Sequence, residues 1–181
     1  IAVALCVAKA AEVLGTSPEQ IDVLLSANIL KNAMGVGIPG TGMIGLPIAV
    51  ALGALIGKSV YGLEVLKDVT DEAVERGKAM IAANCIHIGL KENITEKLYI
   101  EVMVKAGADT AIAVISGGHQ NFVKVKRNDT LLLEKKTEEG HEQECECSCL
   151  NMRMVYDFSM TAPLEEIVFI REAQQLNEKA A

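Results

Sequence analysis

Residues 97–135, KLYIEVMVKAGADTAIAVISGGHQNFVKVKRNDTLLLEK, decide the fold. Aliphatic and β-branched residues recur there in short, partly alternating segments: KLYIEVMV, DTAIAVIS, NFVKVKR and TLLLEK. Polar or Gly-containing turns separate them, which is the pattern of consecutive strands joined by short connections. CIHIGL, from Cys85, has the same character, and the set predicts a mostly antiparallel meander.

Upstream of that stretch the pattern is helical. Ile1 to Gly15 is apolar at nearly every position and ends on glycine, predicting a buried helix with a C-terminal stop. IDVLLSANIL predicts a strand. Pro47 can occupy the first turn of a helix running to Gly57. Thr70, followed by Asp71 and Glu72, predicts an N-cap for a helix through about Ala83, with its acids at the positive end of the dipole. At the other end KKTEEGHEQECECS is charged and without period, so a loop is expected, and Pro163 opens a last helix, LEEIVFIREAQQL. The sequence therefore predicts one α+β domain over 1–181, with helices packed on a largely antiparallel sheet. Its parts are a helical, Gly-rich half over 1–83, a β-rich half over 84–136, a charged loop over 137–160 and a terminal helix over 161–178.

Composition restricts the function. With 17 Lys and Arg against 24 Asp and Glu the net charge is -7, and no basic stripe is available to neutralise phosphates, so nucleic acid is not an expected partner. Five cysteines, an odd number in a chain rich in Lys and Glu, fit a reducing compartment, and the cytoplasm is expected. No charge occurs between Lys31 and Lys58, yet GVGIPGTGMIGLP is too rich in Gly and Pro for a lipid-facing helix. LPIAVALGALIG is too short to span, so no membrane segment is expected. A homo-oligomer is left open.

Two overlapping GxGxxG patterns, Gly35, Gly37, Gly40 and Gly40, Gly42, Gly45, lie between a predicted strand and a predicted helix. Glycines there let backbone N–H groups approach an anion at a helix start, and Glu64 lies where a ribose-binding acid could stand. Pro39, which has no N–H, and the lack of further βαβ units count against a dinucleotide. A carboxylate or amino-acid site, a packing role and a dinucleotide site all stay open. Asn32 and Thr41 offer amide and hydroxyl groups beside the loop, and Lys31 a carboxylate partner. His119, in SGGHQNFV, lies where two glycines bring the backbone close, with Asn121 on the same side by alternation. An imidazole there can take and return a proton. Cys145, Cys147 and Cys149 form CxCxC, too widely spaced in a strand to share one metal; His87 and His141 suggest no role.

Three blocks, SANILKNAMGVGIPGTGMIGLPIAVALGALIG, GLEVLKD and GGHQN, resemble the iron-sulfur L-cysteine desulfidase family, related to L-serine dehydratases, over most of Ile1 to about Val125. The resemblance implies the N-terminal region of a lyase that eliminates the β-substituent of L-cysteine or L-serine without pyridoxal, giving pyruvate and ammonia with sulfide or water. It implies a four-iron four-sulfur cluster whose open iron meets the leaving group. The family carries Gly-Cys-Thr-Glu-Pro before the segment matching IAVAL and its other ligands far downstream, so all cluster ligands are expected outside this chain. This piece by itself would then be inactive. The substrate pocket implied contains Asn28, Lys31, Asn32, Gly40, Thr41, Gly42 and Asn121, with His119 as the catalytic residue. Gln120 stands where the family commonly has Thr. A non-catalytic amino-acid- or nucleotide-binding module using the Gly-rich loop is the alternative.

Overall fold

The computed structural model describes residues 1–135 and 150–180, which fall into two compact units. The CxCxC motif and His141 lie outside the described residues. The chain is α+β, as expected.

In the first unit, α1 (Ala2–Leu14) is buried around most of its circumference and stops at Gly15, whose φ of 79° places it in the left-handed region. Glycine takes that conformation without steric cost, and the Gly15 N–H caps the Ala11 carbonyl. β1 (Gln20–Leu25) alternates half-buried and buried residues. The expected strand over 21–30 ends there, because Ser26 caps a helix: its Oγ accepts from the Ile29 N–H and α2 (Ala27–Ala33) begins. Two short strands, β2 (Gly37–Ile38) and β3 (Met43–Ile44), form a hairpin leading into α3 (Leu46–Ile56), with a proline in its first turn as expected. A 3₁₀ segment, Ser59–Glu64, precedes α4 (Asp71–Ala82), and the Thr70 hydroxyl accepts from the Ala73 N–H in the predicted cap.

β4 (Ile86–Leu90), β5 (Tyr99–Ala106), β6 (Asp109–Ser116), β7 (Phe122–Arg127) and β8 (Thr130–Glu134) complete a six-stranded sheet in the order β4-β1-β5-β6-β7-β8. The last four strands are the predicted antiparallel meander. β4 corrects the expectation: it leaves the meander and pairs parallel with β1 at the sheet edge, Ile21 opposite Ile86, while β1 pairs antiparallel with β5. A parallel neighbour needs a long crossover, and residues 26–85 with their helices supply it.

One sheet face is apolar. Ile21, Val23, Leu25, Ile100, Val102, Val104, Ala111, Ala113 and Ile115 are buried on it in one core, where α1 packs on β5 and β6 and also on α3. α1 and α3 approach closely at glycine: a Cβ on Gly53 would lie 2.6 Å from the Ala4 carbonyl oxygen. The opposite face is polar, with Asp22 beside Lys105 at 3.7 Å and His87 at 3.1 Å, and Glu101 bonded to Lys91 at 2.8 Å. Among the described residues no helix is long and apolar enough to cross a membrane.

The second unit is helical. Residues 152–160, read from the sequence as part of a loop, fall in α5 (Met152–Thr161), because Asn151 accepts from the Met154 N–H and Arg153 pairs with Asp157 one turn on. After Pro163 a 3₁₀ turn over Leu164–Ile167 leads into α6 (Phe169–Ala180), so the single expected helix is divided.

Candidate functional site

A cavity of about 310 Å³ opens where the first turn of α1, α2, the β2–β3 hairpin, the start of α3 and the β6–β7 turn converge. Ala2, Ile29, Ile38, Leu46 and Leu63 contribute apolar walls, and the polar side chains lining it are Asn32 and His119. Each wall has a local cause. The Ser26 cap starts α2 directly after β1, and the Ser26 Oγ also donates to the Lys97 carbonyl at 2.9 Å and accepts from the Tyr99 N–H at 3.3 Å. That anchorage fixes the helix bearing Asn32. Its carboxamide nitrogen donates to Asn28 Oδ1 at 3.4 Å, an ordinary neighbour one helical turn back.

His119 stands on the turn between β6 and β7. Gly117, with φ of 75°, lets the chain reverse there, and its N–H donates to the Leu98 carbonyl at 3.1 Å. The Asn121 carboxamide donates to the Ser116 carbonyl at 3.0 Å, and the Asn121 N–H to that of Gly118 at 3.1 Å. The turn is therefore braced from within while the imidazole, with no hydrogen-bond partner among the described residues, lines the cavity.

Of the residues singled out in the sequence, the structure brings Asn32 and His119 to one cavity and sets Asn28 against Asn32. The others are placed elsewhere. Lys31 is exposed in the last turn of α2, where a positive charge favours the helix dipole. The Thr41 hydroxyl donates to the Ile38 carbonyl at 2.7 Å and accepts from the Met43 N–H at 3.0 Å, closing the hairpin. Gly40 and Gly42, with φ of 75° and 62°, form the hairpin bend, and a Cβ on Gly40 would collide with Val69. Asn121 serves the turn instead of lying beside His119. Glu64 is exposed and pairs with Lys67 at 3.7 Å. Sequence reasoning missed Leu63, and with it Gly62 and Gln120 behind the wall; apolar or neutral residues in a loop carry no chemical signal, and only tertiary contact reveals them.

The cysteines inside the described residues are occupied. Cys6 is fully buried, its thiol aimed at the Ala113 carbonyl at 3.3 Å, and burial pushes its ionisation far above the ordinary thiol range. Cys85 donates to the Met80 carbonyl. Among the described residues no group of three His, Cys, Asp or Glu could hold a metal.

Over all 181 residues the chain is 67% identical to a UPF0597 protein of Bacteroides fragilis, covering 42% of that relative. It is 56% identical to a UPF0597 protein of Parabacteroides distasonis and 42% identical to one of Porphyromonas gingivalis, covering 43% of each. No family model and no solved structure matches it. The expectation that the chain is the N-terminal region of an L-cysteine desulfidase is thereby corrected: these relatives match it from end to end and are named UPF0597 protein, a name that states no activity. The chain spans under half the length of the curated relatives it matches.

Proposed function

We propose that this cavity binds a small amino acid, and that the protein is a cytoplasmic, pyridoxal-independent lyase eliminating the β-substituent of L-cysteine or L-serine. The observation that carries the reading is the convergence of Asn32 and His119, the latter without a hydrogen-bond partner among the described residues, from elements far apart in sequence, on one mainly apolar cavity at the small end of the range for ligand sites. In that pocket His119 takes the proton from Cα as the β-substituent leaves, and Asn32 holds a polar end of the substrate. The aminoacrylate formed shifts to its imine, which water hydrolyses. Cysteine and water thus yield pyruvate, ammonia and hydrogen sulfide; from serine, the water lost balances the water consumed.

A cluster would polarise the leaving group as a Lewis acid when bound. The described residues do not fit as its ligands, since Cys6 and Cys85 are engaged by carbonyls and apart from the cavity, and no step is assigned to it. What favours the lyase over a non-catalytic binding module is that the polar groups at the cavity come from α2 and the β6–β7 turn, not from the Gly-rich loop.

The test is pyruvate release from L-cysteine and L-serine by the protein as expressed from its gene, reconstituted anaerobically with iron and sulfide. His119→Ala is expected to lower turnover by about 10²–10⁴-fold, and Asn32→Ala to raise KM. Pyruvate from neither amino acid would overturn the proposal; L-cysteine binding without product would support the module.

A further inference from the structure

Residues 58–68 form a strap along one side of the cavity. Its base is tied to α1, where the Glu12 carboxylate accepts from both the N–H and the hydroxyl of Ser59. Its ends are clamped together by the Lys58–Asp68 ion pair at 2.9 Å, and Tyr61 is covered by the Lys67 ammonium, 3.7 Å from its ring centre. At the tip the 3₁₀ turn breaks at Gly62, with φ of 54° and ψ of -125°. This is a conformation that glycine alone adopts readily.

The break has a partner. The Gln120 carboxamide approaches Gly62 oxygen first, so closely that a Cβ on Gly62 would collide with Gln120 Oε1. Leu63 follows Gly62 and His119 precedes Gln120, and both line the cavity. The contact thus joins the strap to the turn immediately beside two facing walls. Gln120 forms no hydrogen bond there among the described residues, so what it contributes is its bulk.

We infer that Gln120 is a positioning residue for this site: wedged on Gly62, it sets the spacing between the His119 imidazole and the Leu63 wall and so limits the size of the amino-acid side chain admitted. The inference rests on reading the cavity as an amino-acid site. A methyl group at 62 would also strain the positive-φ backbone of the strap, so the contact is probed from the other side. Gln120→Ala removes it without touching that backbone, and Gln120→Met keeps the bulk without the carboxamide.

The experiment compares Gln120→Ala and Gln120→Met in the whole protein, with L-cysteine and the bulkier probe S-methyl-L-cysteine, whose elimination releases methanethiol in place of sulfide. Gln120→Ala is expected to raise KM for L-cysteine about tenfold, to change kcat less than threefold, and to raise the relative kcat/KM for the S-methyl probe. Gln120→Met should match the wild type within about threefold, because a side chain of similar volume keeps the spacing. Gln120→Ala should also shift the His119 ring resonance in the absence of substrate and leave the Tm unchanged. A Gln120→Met variant that behaves like Gln120→Ala, unchanged selectivity or an unmoved His119 resonance in Gln120→Ala overturns the inference. If the wild-type protein turns over neither compound, the lyase reading fails, and the His119 resonance still decides the role of Gln120.

Discussion

The Asn121 carboxamide donates to the Ser116 carbonyl at 3.0 Å and so closes the turn that carries His119. Replacing Asn121 by Asp keeps the shape but sets an oxygen against an oxygen. A stability loss of roughly 1–2 kcal/mol is expected from the lost hydrogen bond and the exposed carbonyl, with turnover falling further than the Tm shift explains because the imidazole loses its seat. Thermal unfolding and pyruvate release on the same preparation check this. Unchanged values for both would show that the backbone bonds hold the turn alone.

Gly53 lies where α3 meets α1. A Cβ there meets the Ala4 carbonyl oxygen at 2.6 Å and the Ala4 Cα at 3.1 Å, and backbone atoms in a buried helix do not yield. An ordinary mid-helix Gly→Ala change gains up to about 1 kcal/mol, whereas overpacking costs roughly 1–3 kcal/mol. Gly53→Ala should therefore lower the urea midpoint, and a rise would contradict this close approach.

Ser26 is buried with its hydroxyl serving the α2 cap, the Lys97 carbonyl and the Tyr99 N–H at once. Ser26→Ala removes all three, and a loss of about 2–3 kcal/mol is expected from cap and orphaned backbone groups together. Amide hydrogen exchange should show α2 opening first. Equal exchange rates in wild type and variant would refute the anchoring role.

Glu101 accepts from the Tyr99 hydroxyl at 2.6 Å and the Lys91 ammonium at 2.8 Å. Burial by itself raises its pKa, but these two donors outweigh it and hold the carboxyl below the ordinary value of 4.5. The resulting stabilisation is fully present above about pH 4.5 and is lost as the pH falls through the lowered folded-state value. Tyr99 behaves oppositely: burial, then the neighbouring carboxylate, raises its pKa, so its contribution holds below the ordinary 10.0 and fades as the pH climbs through the raised value. Denaturant midpoints measured across pH should show that Glu101→Gln flattens the acid limb below 4.5. A variant curve parallel to the wild type there would remove Glu101 from the account.

Local order was largely readable from the residues. The apolar run of α1, the Thr70 cap, Pro47 at the head of α3 and the alternation of β5 to β7 each have a nearby physical cause. The partner of β4 was not readable, since Ile86 pairs with Ile21 across a crossover and no short-range pattern encodes that choice. SANIL failed for a related reason: a short apolar run suits strand and helix alike, and the Ser26 hydroxyl decides between them. At the candidate site, His119 and Asn32 stood out as polar groups beside glycines, and both line one cavity. Thr41 and Asn121 have the same chemistry but spend it on turn carbonyls, a use that the sequence does not distinguish from ligand contact. Gly62 and Gln120 gave no sign of each other.

The seating of α1 has a consequence for biosynthesis. Its nearly all-apolar surface is satisfied by α3 and, above all, by β5 and β6, which are translated almost a hundred residues later. β1 likewise waits for β5 before it gains its antiparallel neighbour. During synthesis α1 therefore waits for its sheet face, whereas the β5–β8 hairpins pair as soon as they appear because their contacts are local. Until β5 and β6 are made, that apolar helix awaits its surface on the sheet, and the cavity that α1 helps to wall closes only when the helix settles there.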